Sequence, residues 1–226
     1  MSDRLNRLEM LIGNDKIKKL QQATVMVVGC GAVGSFAIEA LARCGVGNII
    51  LVDFDTVAES NINRQIFAMH STLGCAKTLV ARERIADINP DANVVVFNIF
   101  WDNATDIDIR PDFVIDAIDS VESKIALYRW CNAHSIPFIS SMGAARKTDP
   151  TKIRIDKISN TFACPLAARI RKIVRENAIP DFPVVFSTER PSGTVAVGKN
   201  FGSIITVTGT FGLLVANYAI SEILNK

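Results

Sequence analysis

A glycine-rich turn between a short apolar run and a helical segment constrains the fold of this chain most. The apolar run is Thr24–Val28, and Gly29-Cys-Gly31-Ala-Val-Gly34 follows it directly. This G-x-G-x-x-G opens the helical segment Ser35–Arg43, which is the context in which such a motif holds phosphate. Gly29 allows the tight turn, Gly31 lets a phosphate approach the backbone, and Gly34 lets the helix pack closely on the strand. The motif therefore predicts a strand, a turn and a helix whose N-terminus faces an anion.

Apolar runs and helical segments continue to alternate along the chain. Further predicted strands are Asn48–Val52, Asn93–Phe97, Asp112–Asp116 and Pro137–Ser140, and predicted helices are Cys75–Ile88 and Ser123–His134. Strands that are apolar throughout are buried on both faces. Strands separated by helices pair in parallel through right-handed crossovers. We expect an α/β fold with a Rossmann-like, mainly parallel sheet flanked by helices.

The pattern changes after Ser141. Three segments alternate more regularly, at Ile153–Ile158, Val184–Ser187 and Thr194–Val197. They predict an antiparallel elaboration at the C-terminal end of the fold. A basic helix is predicted over Cys164–Arg175, with Pro165 in its first turn.

The chain is expected to form one domain over residues 1–226. No Gly/Ser-rich linker divides it, and 226 residues bury a sizeable core without disulfides or metals. A composition of 49% hydrophobic and 21% charged residues excludes a disordered protein. Within the domain we predict a helical arm at 1–22 and an elaboration at 141–226 for substrate binding and dimerisation.

Three features bear on the cellular setting. The five cysteines are odd in number and form no C-x-x-C pair, which argues against a disulfide framework and a structural zinc site. The N-terminus lacks the apolar core of a signal peptide, so a reducing cytoplasm is expected. The run from Ile204 to Leu224 approaches the length of a membrane span. Its threonines and glycines favour a helix buried against a sheet, and peripheral membrane contact stays open.

Positive charge is concentrated in one region. The formal net charge is +2, but residues 146–175 contain nine Lys or Arg against two Asp. Such an excess is a candidate footprint for a polyanion. A solvated helix face beside a basic loop is the ordinary alternative.

The glycine motif alone first indicates a nicotinamide or flavin dinucleotide. Asp53, at the end of the second predicted strand, is placed to accept both hydroxyls of a ribose. A dehydrogenase also needs a group for hydride transfer. His70 and His134 have no obvious partner, and Tyr128 has no Lys four residues later. These absences weaken the oxidoreductase hypothesis without excluding it.

A second set of polar residues follows the carboxyl ends of predicted strands or begins helices. The set is Asn61, Arg64, Lys77 and Asp119. Ligands bind at this edge in open α/β sheets. Arg64 and Lys77 can neutralise a triphosphate, and Asp119 can hold Mg²⁺. The set fits ATP better than a dinucleotide.

Together these motifs resemble the ThiF/MoeB/HesA group of ATP-dependent adenylating enzymes, which is related to ubiquitin-activating enzymes. The resemblance covers nearly the whole chain. The matching segments are Arg4-Leu-Asn-Arg7, the glycine loop, Asp53-Phe-Asp55, Asn61-Ile-Asn-Arg64-Gln65, Gly74-Cys-Ala-Lys77 and Asp116-Ala-Ile-Asp119.

The resemblance implies an ATP site with Mg²⁺ as its metal. It implies that Asp53 binds the ribose and that Asp119 is linked to Mg²⁺. The residues implied to contact the phosphates are Asn61, Arg64 and Lys77, with Asp55 and Gln65 in the same nucleotide site. Catalysis is expected to depend on Arg64, Lys77 and Asp119. The Arg4–Arg7 segment resembles an arginine motif that reaches the partner subunit's ATP in homodimers, so Arg7 is included in the site.

The branch of the group follows from other segments. Activators of ubiquitin-like sulfur carriers usually have two C-x-x-C zinc pairs, which this chain lacks, and a ubiquitin-type enzyme has a separate cysteine domain. Asp149-Pro-Thr151, Pro165-Leu-Ala-Ala168 and Val185-Phe-Ser-Thr-Glu189 resemble the branch that dehydrates N6-threonylcarbamoyladenosine in tRNA. The turn Gly143-Ala-Ala145 is less glycine-rich than that branch leads us to expect.

The implied reaction adenylates the threonyl carboxylate of the modified base, and the carbamoyl group then closes a ring and releases AMP. The basic residues expected to meet tRNA phosphates are Arg146, Lys147, Arg169, Arg171 and Lys172. Two alternatives remain at this stage. One is adenylation of the C-terminal glycine of a ubiquitin-like sulfur-carrier protein, and the other is an NAD-binding oxidoreductase.

Overall fold

Seven strands form one sheet in this computed structural model, which describes residues 3–192 and 201–225. They are β1 (Thr24–Val28), β2 (Asn48–Val52), β3 (Asn93–Phe97), β4 (Phe113–Asp116), β5 (Phe138–Ser141), β6 (Ile153–Lys157) and β7 (Pro183–Ser187). Their order is β3-β2-β1-β4-β5-β7-β6. All neighbours are parallel except β6 and β7, which pair antiparallel with Ile153 opposite Ser187. The predicted parallel sheet with an antiparallel elaboration is confirmed.

Helices cover both faces of the sheet. They are α1 (Asn6–Ile12), α2 (Asn14–Gln22), α3 (Gly34–Arg43), α4 (Lys77–Ile88), α5 (Val121–Ala133), α6 (Pro165–Glu176) and α7 (Ile205–Asn225). Alternate residues of the central strands belong to two cores: α3, α4 and α7 pack on one face, and α5 and α6 pack on the other. Burial on both faces explains why β1, β2 and β4 are apolar along their length.

Helix starts differ from the sequence prediction for local reasons. Helix α4 begins at Lys77 rather than at Cys75, because Ala76 forms an antiparallel bridge with Thr56. Helix α5 begins at Val121 rather than at Ser123, because the Ser120 hydroxyl caps it by accepting the Ser123 N–H. The predicted strand Thr194–Val197 lies outside the described residues.

Helix α7 has the length and composition of a membrane span, with a mean hydropathy of 1.3, but half of that stretch is buried inside the protein. It packs on α3 so closely that a Cβ at Gly212 would lie 2.6 Å from the Cβ of Phe36. This packing agrees with the interpretation of α7 as a helix buried against the sheet.

The N-terminal arm lies at the amino edge of the sheet. Leu5 packs against Gly45, which precedes β2. The Arg4 guanidinium donates to the Asn89 side chain at 2.5 Å and to Asp91 at 3.3 Å, beyond the end of α4. The arm therefore sits at the end of the sheet opposite the glycine loop.

Candidate active site

The glycine loop lies at the carboxyl edge of the sheet, where the strand order reverses between β1 and β4. Ligands bind at such switch points in open α/β sheets. Gly29 has a φ of +97°, and a Cβ there would lie 2.7 Å from the Ala117 carbonyl oxygen; a Cβ on Gly34 would overlap the Gly29 carbonyl. At Gly31, by contrast, the nearest atom is Nε2 of Gln65 at 3.8 Å. Two glycines are therefore required by packing, and Gly31 leaves open space that a phosphate can use.

The Asp53 carboxylate connects the end of β2 to the glycine loop. Its Oδ2 accepts the Cys30 N–H at 2.6 Å, and its Oδ1 accepts the Asp55 N–H at 2.8 Å. Asp53 is half-buried, so its carboxylate remains accessible at the crevice. Burial, with a smaller contribution from Asp53, raises the pKa of the Cys30 thiol well above its usual range. Cys30 is therefore a protonated packing residue rather than a nucleophile.

Lys77 and Asp55 form an ion pair beside the same loop. The Lys77 Nζ lies 2.7 Å from Asp55 Oδ2, and the exposed fractions of the two side chains are 7% and 47%. The Asp55 carbonyl also accepts the Lys77 N–H, at 3.0 Å. A nearly buried ammonium with one exposed carboxylate partner is held in place before any anion arrives, which is the arrangement that electrostatic catalysis requires.

The segment 61–66 packs against the start of α3. The Ile66 N–H donates to the Ser35 hydroxyl at 3.2 Å, and Gln65 is buried beside Gly31. The Arg64 guanidinium is half-buried and donates to the Ser60 carbonyl at 2.6 Å and to the Asn63 side chain at 2.8 Å. The neighbouring Asn61 accepts the Ala58 N–H through its side-chain oxygen at 3.1 Å. Gln65 is thus brought to the glycine loop, and Asn61 and Arg64 lie in the same short segment, where both bond to neighbouring residues.

Asp119 follows β4 on the other side of the crevice and is exposed. Within residues 3–192 and 201–225, no group of three or more His, Cys, Asp or Glu is placed to hold a metal. A single carboxylate nevertheless fits Mg²⁺, which usually takes one or two protein carboxylates together with substrate phosphates.

A buried polar network behind Asp119 was missed by the sequence analysis. Lys124 and Asp116 are both fully buried, and the Lys124 Nζ lies 2.8 Å from Asp116 Oδ2. The Tyr128 hydroxyl donates to the same oxygen at 2.9 Å, and the Lys124 ammonium also donates to the Ser141 carbonyl at 2.8 Å. The remaining oxygen, Asp116 Oδ1, accepts the Ile118 N–H at 3.0 Å. The network therefore ties the loop that bears Asp119 to β5.

Arg7 is not brought to this site. It is exposed on α1, at the amino edge of the sheet, whereas the glycine loop lies at the carboxyl edge. The predicted contact of Arg7 with a nucleotide can therefore involve only the nucleotide of a second chain.

The predicted tRNA-binding residues divide into two groups. Arg146, Arg169 and Lys172 are exposed, and Arg171 is half-buried with its Nη1 donating to both oxygens of Thr161 at 2.6 Å. The structure contradicts the prediction that Lys147 lies on the tRNA-binding surface. It is 2% exposed, its Nζ donates to the Ser187 carbonyl at 3.3 Å, and burial lowers its pKa. Because its ammonium is buried, Lys147 does not belong to the basic surface.

The fold and the crevice define a Rossmann-like nucleotide-binding protein with cationic groups placed for phosphates. Comparison with protein families gives the particular family: the chain belongs to the ThiF family, whose model matches residues 5–226. The resemblance found in the sequence is confirmed.

Relatives with known activities cover most of the chain. It is 45% identical over 195 residues to the tRNA threonylcarbamoyladenosine dehydratase of Bacillus subtilis, covering 84% of this chain and 77% of that protein. The crystal structure of the Escherichia coli tRNA N6-threonylcarbamoyladenosine dehydratase, TcdA, in complex with ATP superposes with a TM-score of 0.92, at 35% identity, over 99% of this chain and 96% of that chain. The molybdopterin-synthase adenylyltransferase of Haemophilus influenzae is 34% identical over 167 residues, covering 73% of this chain and 67% of that protein.

Proposed function

We propose that this protein uses ATP to dehydrate N6-threonylcarbamoyladenosine in tRNA, closing a ring on the modified base. The main support is the coincidence of a preformed cationic phosphate site with similarity along nearly the whole chain to dehydratases of that activity. One of these relatives is described in complex with ATP.

The mechanism follows from the groups at the crevice. An oxygen of the threonyl carboxylate attacks the α-phosphorus of ATP, and the bond to the leaving pyrophosphate breaks. A nitrogen or oxygen of the carbamoyl group then attacks the activated carbonyl carbon, a proton is lost from a carbamoyl nitrogen, and the bond to AMP breaks. The net change in the base is the loss of one water.

Each of the residues at the crevice has a role in these reaction steps. Gly31 and the α3 N-terminus receive phosphate, Asp53 binds the ribose, and Arg64 and Lys77 neutralise the negative charge that builds on the leaving pyrophosphate. Mg²⁺, held by Asp119 and the nucleotide, would lower the repulsion between the phosphates and the incoming carboxylate. Asn61 and Gln65 would lie beside the same bound phosphates.

The proposal also covers the oligomeric state and the cellular location of the protein. A homodimer would let Arg7 of one chain reach the ATP of the other, and the reaction belongs in the cytoplasm, where tRNA is found. Exposed apolar residues just before and in the first half of α7 include Ile204, Ile205 and Leu213. They are the place where peripheral membrane contact would occur.

The direct test is incubation with ATP, Mg²⁺ and tRNA that contains the modified adenosine. The expected result is loss of one water from the modified nucleoside, seen by mass spectrometry, together with pyrophosphate release and one AMP per ring closed. A Gly-Gly-ended sulfur carrier offered in parallel should give no adenylate, and NAD should not bind. Adenylation of the carrier but not of tRNA would replace this function with the sulfur-carrier alternative.

Binding of tRNA should weaken steeply as salt rises, because released counterions contribute much of the affinity. Each phosphate contact contributes a slope of about −0.7 to −0.9 in a plot of log affinity against log salt. Arg169→Ala and Lys172→Ala should each reduce the magnitude of this slope by about one contact. Lys16→Ala, an exposed lysine on α2 at the amino edge, is the control and should leave the slope unchanged. A slope that stays the same in the α6 variants would remove α6 from the tRNA surface.

A further inference from the structure

Phe162 exposes a large aromatic ring that the activity described so far does not use. Its residue is 56% exposed, yet the ring is held in place by the buried Phe186 of β7, with centroids 5.7 Å apart and planes at 75°. The preceding residue, Thr161, is fixed by the Arg171 guanidinium. A ring that packs on a buried ring and follows a fixed residue can stack on a planar ligand without losing much conformational freedom.

The position of Phe162 places it beside the crevice. Cys164, two residues further on, packs against Gly143, with its Sγ 3.4 Å from where a Cβ would be. Gly143 follows β5 at the carboxyl edge of the sheet, and β5 is the neighbour of β4, which leads to Asp119. Phe162 therefore lies at the same carboxyl edge of the sheet as the candidate nucleotide residues. It lies near β5 and β7, whereas those residues gather near β1 and β2.

Helix α6, which begins shortly after Phe162, carries a row of positive charges. Arg169, Lys172 and Arg175 are exposed and three residues apart, which places them along one side of the helix. Arg169 lies 3.4 Å from Glu122, near the start of α5 just after Asp119. That pair is exposed on both sides and is worth little to stability, so it can exchange for a phosphate contact.

We propose that Phe162 is a stacking platform for a nucleobase of tRNA next to the modified adenosine, and that the exposed side of α6 neutralises the adjoining phosphates. Single-stranded RNA is recognised in this way, by bases stacked on aromatic side chains beside a cationic backbone track. The inference rests on the proposed function, because it takes tRNA as the substrate. Arg175 and Phe162 are additions to the surface that the sequence predicted.

The test measures binding of a tRNA anticodon stem-loop, which contains the adenosine beside the anticodon that the proposed reaction acts on. The RNA is unmodified so that no turnover occurs, and binding is followed by fluorescence anisotropy over a range of salt. Phe162→Ala should raise Kd about tenfold or more at every salt concentration and leave the salt slope unchanged, because stacking releases no counterions. The Kd of Phe162→Trp should lie within about twofold of the wild-type Kd, because tryptophan also offers a stacking face. Leu213→Ala, which removes an exposed apolar side chain on the opposite face of the sheet, should have no effect.

The outcomes separate this inference from the proposed function. Wild-type-like affinity in Phe162→Ala would overturn the platform, even if the enzyme dehydrates tRNA normally. A change of mass for Phe162→Ala in light scattering would also overturn it, because the ring would then belong to a contact between protein chains. Stem-loop binding that depends on Phe162, in a protein that fails to dehydrate modified tRNA, would support the platform and contradict the proposed reaction.

Discussion

Lys77→Ala is expected to lower ATP–pyrophosphate exchange, measured with modified tRNA, by about 10²- to 10³-fold while the protein stays folded. The reason is the position of its ammonium, which is held beside the glycine loop by Asp55 at 2.7 Å. In the transition state this charge would meet the negative charge that builds on pyrophosphate, and its side chain is only 7% exposed. Asp55 is half-exposed, so water can solvate it once its partner is gone.

Controls for this result come from the same region. Lys77→Met keeps the volume of the buried side chain and should lose exchange to the same extent. Arg64→Ala should also be strongly impaired. Arg82→Ala removes an exposed charge from the same helix and should retain full exchange. Exchange near the wild-type rate in both Lys77 variants would show that this lysine is structural and would require another group to neutralise the leaving pyrophosphate.

Lys124→Met should lower the free energy of unfolding by about 3–5 kcal/mol, the cost of leaving a buried charge without its partner. Both Lys124 and Asp116 have no exposed side-chain surface, so water cannot replace the lost ammonium. Urea unfolding followed by circular dichroism measures the change, with the midpoint expected to fall at a nearly constant slope.

Two variants show whether this loss arises from the buried charge. Adding Asp116→Asn to Lys124→Met removes the unpaired carboxylate and should recover part of the stability, because the neutral amide costs less to bury. Arg169→Ala breaks an exposed ion pair to the same helix α5 and should cost no more than about 1 kcal/mol. A cost for Lys124→Met as small as that of Arg169→Ala would mean that the buried pair contributes little.

Much of the fold could be predicted from the sequence because burial on both faces leaves a clear pattern. The strand bounds of β1, β2 and β3 match the predicted apolar runs residue by residue. The start of α4 could not be predicted in this way, since it depends on a contact remote in sequence: Ala76 pairs with Thr56 and so delays α4 to Lys77.

The placement of the candidate nucleotide residues was predictable in part because glycines, carboxylates and cations follow strand ends in a recognisable order. The structure brings Asp53, Asp55 and Lys77 together as the motifs indicated. Lys147 was wrongly predicted to lie on the surface, because charge alone indicates a surface, and no prediction was made for Lys124. Lys147 is buried with its ammonium on the Ser187 carbonyl, and Lys124 is buried beside Tyr128, which lies one turn further along α5. A Lys and a Tyr four residues apart on a helix side that is otherwise apolar would have been the signal.

The bonds made by Asp53 restrict how the nucleotide preference of such a protein can be redesigned. In enzymes that choose between nucleotide cofactors, the acidic residue at the end of the second strand is the natural position to exchange. Here the same carboxylate fixes the backbone of Cys30 and of Asp55, and Asp55 in turn holds Lys77. If Asp53 binds the ribose and Lys77 the phosphates, as we propose, a substitution meant to alter sugar recognition would also shift Lys77, so selectivity and rate could not be tuned separately at this position.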